Sequence, residues 1–225
     1  MVASPIGNLK DISLRALDIL KSVSLAACED TARSLKLLTH FGIKVKLLSC
    51  RAANERAAAE RLVKKLDDGL DIAYLTDAGT PALSDPGAVL VRLAASSGHK
   101  VIPIPGASAL SGLVSVAGGF DKTVVFEGFL SPKSGRRRSR LKELLDGGAA
   151  FVLYESPFRI LKLLADLVEF DGNRYVCMGR EMTKIHEEYL RGSAAEILRV
   201  LEARPEQKGE FSLFVSSGAA KPVGV

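Results

Sequence analysis

The stretch Asp71-Ile72-Ala73-Tyr74-Leu75-Thr76-Asp77-Ala78-Gly79-Thr80-Pro81-Ala82-Leu83-Ser84-Asp85-Pro86-Gly87 decides how the chain folds. Ile72 to Thr76 is an apolar run of strand length, and Asp77 to Pro81 are residues that turn a chain rather than extend it. A buried strand therefore delivers a loop. In an open α/β sheet the loops at the carboxyl ends of the strands form the ligand crevice, because neighbouring connections leave there in opposite directions. Gly79 lets a ligand approach the backbone with no Cβ in the way, while Pro81 and Pro86 stiffen the return path. A plain strand-to-helix turn is the simpler reading, since Gly, Pro and Asp punctuate most turns.

Working outward, strand and helix patterns alternate on both sides of this stretch. Val2 to Ser4 reads as a short first strand, Asp11 to Val23 as a helix with apolar residues at helical spacing, and Ser24 to Cys28 as a strand. That strand ends in Glu29-Asp30-Thr31. Capping of the helix that runs to Leu38 explains one of these two acids, not both. Val45 to Ser49 is extended, Asn54-Glu55 opens a helix to about Leu66, and Gly87 to Ser97 is a helix. Lys100 to Ile104 is a strand, after which Ser108 is placed to cap another helix. This alternation argues for a parallel sheet with helical crossovers. Gly118-Gly119 then marks a junction, giving an N-terminal α/β domain over residues 1–119 and a C-terminal one over 120–225. In the second, strands at 123–130, 149–154, 174–180, 187–191 and 210–216 alternate with helices at 139–145, 158–170 and 194–201. The hairpin joining 174–180 to 187–191 favours a mixed sheet.

At 225 residues the chain can bury a sizeable core without disulfides. Cys28, Cys50 and Cys177 are odd in number and lack metal-ligand spacing, which suggests reduced thiols, a cytoplasmic location and no metal. Val101 to Phe120 is free of charge, yet its prolines, glycines and serines rule out a membrane span. Nothing in Met1 to Pro5 reads as a signal peptide. Lys and Arg total 31 against 26 Asp and Glu, a net charge of +5. Five of those positive charges fall between Lys133 and Arg140, with no acid among them. Such a run is either a solvated helix start or an electrostatic footprint for phosphates.

No Gly-x-Gly-x-x-Gly, Walker loop, zinc spacing or Gly-x-Ser-x-Gly is present, which argues against dehydrogenase, kinase and hydrolase chemistry. His40, His99 and His186 lie far apart and suggest no catalyst. Eight motifs in order carry a resemblance instead: Ser4-Pro5-Ile6-Gly7-Asn8, Glu29-Asp30-Thr31, Asn54-Glu55, Asp77-Ala78-Gly79-Thr80-Pro81 with Ser84-Asp85-Pro86-Gly87, Pro105-Gly106, Tyr154-Glu155-Ser156-Pro157 with Arg159, Arg180-Glu181-Met182-Thr183-Lys184, and Lys208-Gly209-Glu210-Phe211. Together they resemble the small-subunit rRNA cytidine 2′-O-methyltransferase I family of the tetrapyrrole-methylase superfamily. Three departures stand out. Ala32 follows Glu-Asp-Thr where the family usually has Arg, Ala53 precedes Asn54 where it usually has His, and the family supplies further residues ahead of Val2.

The resemblance implies two α/β domains with S-adenosylmethionine in the cleft between them, usually in a homodimer. It implies methyl transfer to a ribose 2′-hydroxyl in the decoding region of small-subunit rRNA. Relatives acting on corrin or porphyrin rings usually have Gly-Asp-Pro where this chain has Gly79-Thr80-Pro81, so Thr80 favours RNA. In that context Arg136, Arg137, Arg138, Arg140 and Arg159 become candidate phosphate contacts. Asp77, Gly79, Thr80 and Leu83 would line one side of the cofactor, Ser108 and Ala109 another, and Tyr154 a wall in the second domain. The hydroxyl needs a base. Lys184, desolvated enough to act neutral, or Glu181 is the first choice, with a plain Glu-Lys surface pair as the alternative reading of those two residues; Glu29 and Asp30 are the second candidates. A ring-methylating enzyme and a non-catalytic rRNA-binding protein are the alternatives.

Overall fold

A computed structural model describes residues 1–119 and 122–220. The chain divides into two compact units, Met1–Ser108 and Ala109–Val225. The division falls ahead of the junction expected at Gly118-Gly119. The reason is helix α5 (Ala109–Ala117), which packs on strands of the second sheet. Its end is fastened there by the Tyr175 hydroxyl, which donates to the Ala117 carbonyl at 2.5 Å.

The first unit is built on three parallel strands, β1 (Leu25–Cys28), β2 (Lys46–Ser49) and β3 (Ile72–Leu75), in the order β2-β1-β3. Parallel neighbours need crossovers, and the connections supply α2 (Thr31–His40) and α3 (Glu55–Asp67), with α1 (Leu14–Ser22) ahead of β1 and α4 (Ala88–Ser96) after β3. Every residue of β1 is buried because both faces of the sheet are covered. Ala26, Cys28, Ala73 and Leu75 point to the face packed by Leu20 and Leu38. Leu25, Ala27 and Tyr74 point to the other, packed by Ala58, Leu62 and Leu90. The period of two along a strand makes this division. The strands expected at Val2 and at Lys100 to Ile104 are reduced to a single parallel bridge, Val2 to Ile104. Pro103 and Pro105 have no N–H to donate, so a longer ladder cannot form there.

The second unit holds a mixed sheet of β4 (Val124–Phe129), β5 (Ala150–Glu155), β6 (Arg174–Arg180), β7 (Glu188–Ser193) and β8 (Phe211–Ala219), ordered β4-β5-β8-β6-β7. Only β4 and β5 run parallel; the other pairs are antiparallel. The α6 (Ser134–Asp146), α7 (Ile160–Asp171) and α8 (Ala194–Glu202) helices complete it. Leu141, Ile160, Leu164 and Ile197 pack there with Phe151, Leu153, Met178 and Phe211 of the strands. Each such side chain contributes about 1.5–3 kcal/mol by burial. Helix α6 starts at Ser134, not Ser139, with Lys133 its N-cap, so all four arginines of the basic run are helical. No described helix is long and apolar enough to cross a membrane.

Candidate functional site

In the first unit the carboxyl ends of β1 and β3 lie side by side, because Cys28 is registered with Leu75. Their loops therefore meet. Asp77 Oδ1 accepts from the Asp30 N–H at 3.0 Å, and its Oδ2 lies 3.4 Å from Arg33 Nη1. The Glu29 carboxylate accepts from the Asp77 N–H. Asp30 is spoken for: its Oδ1 accepts from the Ala32 and Arg33 N–H groups at 2.7 and 3.2 Å. Those bonds, Arg33's first, hold its carboxyl below the usual range, which makes Asp30 the cap of α2 rather than a base.

Glu29 behaves in the opposite way. Burial first, then the Asp77 charge, raise its pKa. Asp85, which the sequence reading passed over as a site residue, is pushed up to about 6 by burial, helped by Glu29 and Asp77. The charge of Asp77 thus opposes ionisation of both Glu29 and Asp85, and Glu29 opposes that of Asp85 as well.

Gly79 sits at φ +77° and exchanges both backbone hydrogen bonds with Ser4, at 2.9 and 3.0 Å. A Cβ there would lie 3.3 Å from Ile6 Cγ2 and 3.7 Å from the Ala107 carbonyl, so a side chain would crowd Ile6 and strain the backbone. Thr80 Oγ1 donates to that same carbonyl at 3.2 Å, and the Leu83 N–H donates to Thr80 at 3.4 Å. Glu55 has a role that its motif did not suggest. Its Oε1 accepts from the N–H groups of Gly87 and Val89 at 2.7 and 3.1 Å, fixing the start of α4 and the end of the loop.

Ala109 opens α5, and Tyr154 lies on β5 with Phe126 and Phe129 edge-on to its ring at 5.1 and 5.8 Å. In the loop after β6, Lys184 Nζ donates to Glu181 Oε1 at 2.8 Å and to Glu210 Oε2 at 2.9 Å. Burial pulls the lysine's pKa down, but the hydrogen bonds to Glu181 and Glu210 outweigh it and the pKa ends up raised. Lys184 is therefore held charged, which corrects the expectation of a neutral lysine base. Glu181 is correspondingly held low: burial opposes this, and the Lys184 and Glu210 hydrogen bonds prevail. Gly209 makes room for it, since a Cβ there would lie 2.7 Å from Glu181 Cδ. Among the described residues, the non-glycines at positive φ are Ala82, Ser84, Glu181 and Thr183. Two lie in each unit's candidate loop, and each costs on the order of 1–3 kcal/mol, a cost that clusters at functional loops.

The arginines of the basic run are mostly engaged with acids. Arg137 Nε bonds Asp166 Oδ2 at 2.7 Å, with the two side chains only 7% and 11% exposed. That burial removes Arg137 from the expected phosphate contacts. Arg138 holds Asp166 and Glu169, and Arg140 holds Glu127 and Glu143. Arg159 pairs with Glu155 at 2.9 Å and donates to the Leu130 carbonyl at 2.6 Å. Arg136 alone of the five is exposed without an ion-pair partner among the described residues.

Two α/β units, one on a parallel and one on a mixed sheet, with clustered carboxylates at the strand ends of the first, define the class of fold. A solved cobalt precorrin-4 methyltransferase, CbiF, from cobalamin biosynthesis has the same fold. Its TM-score is 0.68 at 15% identity over 95% of this chain and 92% of that one. Residues 1–198 match the family of Tetrapyrrole (Corrin/Porphyrin) Methylases. Proteins named ribosomal RNA small subunit methyltransferase I are similar over nearly the whole chain. The one from Borrelia garinii is 45% identical over 98% of this chain and 99% of its own length. The one from Pseudomonas aeruginosa is 42% identical over 98% and 79%. The chain belongs to the tetrapyrrole methylase family, within its ribosomal RNA small subunit methyltransferase I group.

Proposed function

We propose that this protein is an S-adenosylmethionine-dependent methyltransferase of small-subunit ribosomal RNA and, more finely, that it methylates the 2′-oxygen of a cytidine ribose in the decoding region. The observation that carries the reading is 45% identity, end to end, with a protein bearing the small-subunit rRNA methyltransferase name. The likeness to a ring-methylating enzyme, at 15% identity, supports the fold only.

S-adenosylmethionine, when bound, supplies an electrophilic methyl group. Gly79, whose own N–H and carbonyl are taken by Ser4 and whose Cβ position faces Ile6 and Ala107, holds the loop in shape for such a ligand. Asp77, Gly79, Thr80, Leu83 and Ser108 are the residues proposed to hold it. Asp77 shapes the loop through Asp30 and Arg33 while doing so.

A ribose hydroxyl is a poor nucleophile until its proton is removed. Glu29 is the proposed base, because burial and Asp77 raise its proton affinity, and Asp85 beside it is set to trade protons near pH 6. Lys184, kept charged, serves as a fixed cation binding Glu181 to Glu210. Arg136 and Lys133 are the proposed phosphate contacts, with Arg140 and Arg159 beside them. A homodimer and a cytoplasmic location accompany this reading.

Transfer of labelled methyl to small ribosomal subunits lacking the modification, followed by nuclease mapping, tests it. Label on a cytidine 2′-oxygen is expected. Cofactor binding with no transfer to the subunit overturns it.

A further inference from the structure

Among the described residues, the exposed phenylalanines are Phe129, 57% accessible, and Phe158, 89% accessible. Both lie at one edge of the second unit. Phe129 ends β4 in register with Tyr154 of β5, whose ring supports it edge-on at 5.8 Å. Phe158 follows β5 in the turn at residues 156–159. That turn is pinned to the end of β4, because Arg159 donates to the Leu130 carbonyl at 2.6 Å while pairing with the fully buried Glu155. The Ser156 N–H also donates to Glu155, at 2.8 Å. Both rings thus stand on fixed supports rather than on loose loops.

The charge around them is one-sided. Glu127 and Glu143 are taken by Arg140, Asp166 and Glu169 by Arg137 and Arg138, and Asp146 by Lys142. Lys133 and Arg136, at the start of the helix that follows β4, are exposed and without an ion-pair partner among the described residues. Exposed π-faces beside unneutralised cations match a polyanion whose own π-faces are open. Single-stranded RNA has them open, whereas a duplex stacks them away.

We propose that Phe129 and Phe158 form a base-stacking ledge for a single-stranded segment of RNA, with Lys133 and Arg136 contacting its phosphates. The proposal rests on the RNA reading above and adds to it a place where the strand is gripped.

The chain contains no tryptophan, so Phe158→Trp makes a single fluorescent reporter. Titration with a short oligocytidylate is expected to quench the indole saturably, while double-stranded RNA and inorganic polyphosphate leave it unquenched. Phe158→Ala and Phe129→Ala should each weaken oligocytidylate binding roughly 5- to 100-fold, as loss of base–aromatic stacking does, with melting temperature and salt slope unchanged. Lys133→Ala and Arg136→Ala should instead each lower that slope by about 0.7. Absence of quenching, unchanged affinity in both alanine variants, or a wild-type dimer that dissociates in Phe158→Ala overturns the ledge. Methyl transfer by the wild type separates the two claims. Transfer that Phe158→Ala and Phe129→Ala carry out with unchanged KM for the small subunit defeats the ledge alone. Specific quenching without any transfer upholds the ledge and defeats the enzymatic reading.

Discussion

Replacing Asp85 by Asn should stabilise the protein at alkaline pH and do less at acid pH. Burial, with Glu29 and Asp77 adding repulsion, raises this carboxyl from the ordinary 3.8 to about 6. A group whose folded pKa lies above its unfolded one favours folding below the unfolded value, and that advantage is lost as the pH rises through the folded value. At about 1.4 kcal/mol per tenfold change, the full rise corresponds to about 3 kcal/mol. Water at this partly open loop screens it to roughly 1–2 kcal/mol. Most of the cost is incurred between pH 4 and 6.5. Asp85→Asn removes it, so the variant should exceed the wild type by about 1–2 kcal/mol at pH 8 and by about 1 kcal/mol less at pH 5. Urea denaturation at the two pH values, with m-values compared, measures the difference. Equal gains at both pH values, or a loss at pH 8, would refute the carboxylate repulsion. In the same variant, methyl transfer should lose the part of its acid limb set by Asp85.

The Asp166→Ala variant strands Arg137 in the interior and should cost about 3–5 kcal/mol in urea unfolding. Arg137→Met with Asp166→Leu should recover most of it. If that double variant also binds RNA as the wild type does, Arg137 is structural. Gly79→Ala forces an L-residue to φ +77° with its Cβ 3.3 Å from Ile6; a loss of about 1–2 kcal/mol is expected, with a larger relative loss of S-adenosylmethionine affinity by calorimetry. Lys184→Met leaves Glu181 and Glu210 facing each other. It should cost about 1 kcal/mol at pH 7 and less as the pH falls through the carboxylate range, and a loss independent of pH would rule out the ion-pair role.

Much of this could be read directly along the chain. Helices α1, α3 and α4, and the central strands, follow from apolar spacing and from the turn residues at Gly42, Gly69 and Asp77, all of which are local signals. The failures were local rules overridden by distant partners. Lys100 to Ile104 has a strand's apolar content, but its prolines leave only one bridge to Val2. The ion pairs of the basic run were not legible along the chain, because its acids Asp166, Glu169 and Glu127 lie 13 to 31 residues away. Asp85 stood in a quoted motif, yet its proton affinity depends on burial and then on Glu29 and Asp77, which the fold alone brings near.

The sequence by itself determined the alternation of strand and helix, the glycine loop after the organising strand and the family, because each is written in spacing or in ordered motifs. Tertiary structure alone decided which charges are free. It made Asp30 a cap and Glu29 a candidate base, held Lys184 cationic and buried Arg137. Ionisation and ion pairing depend on burial and on neighbours across the fold, and neither is a property of position along the chain.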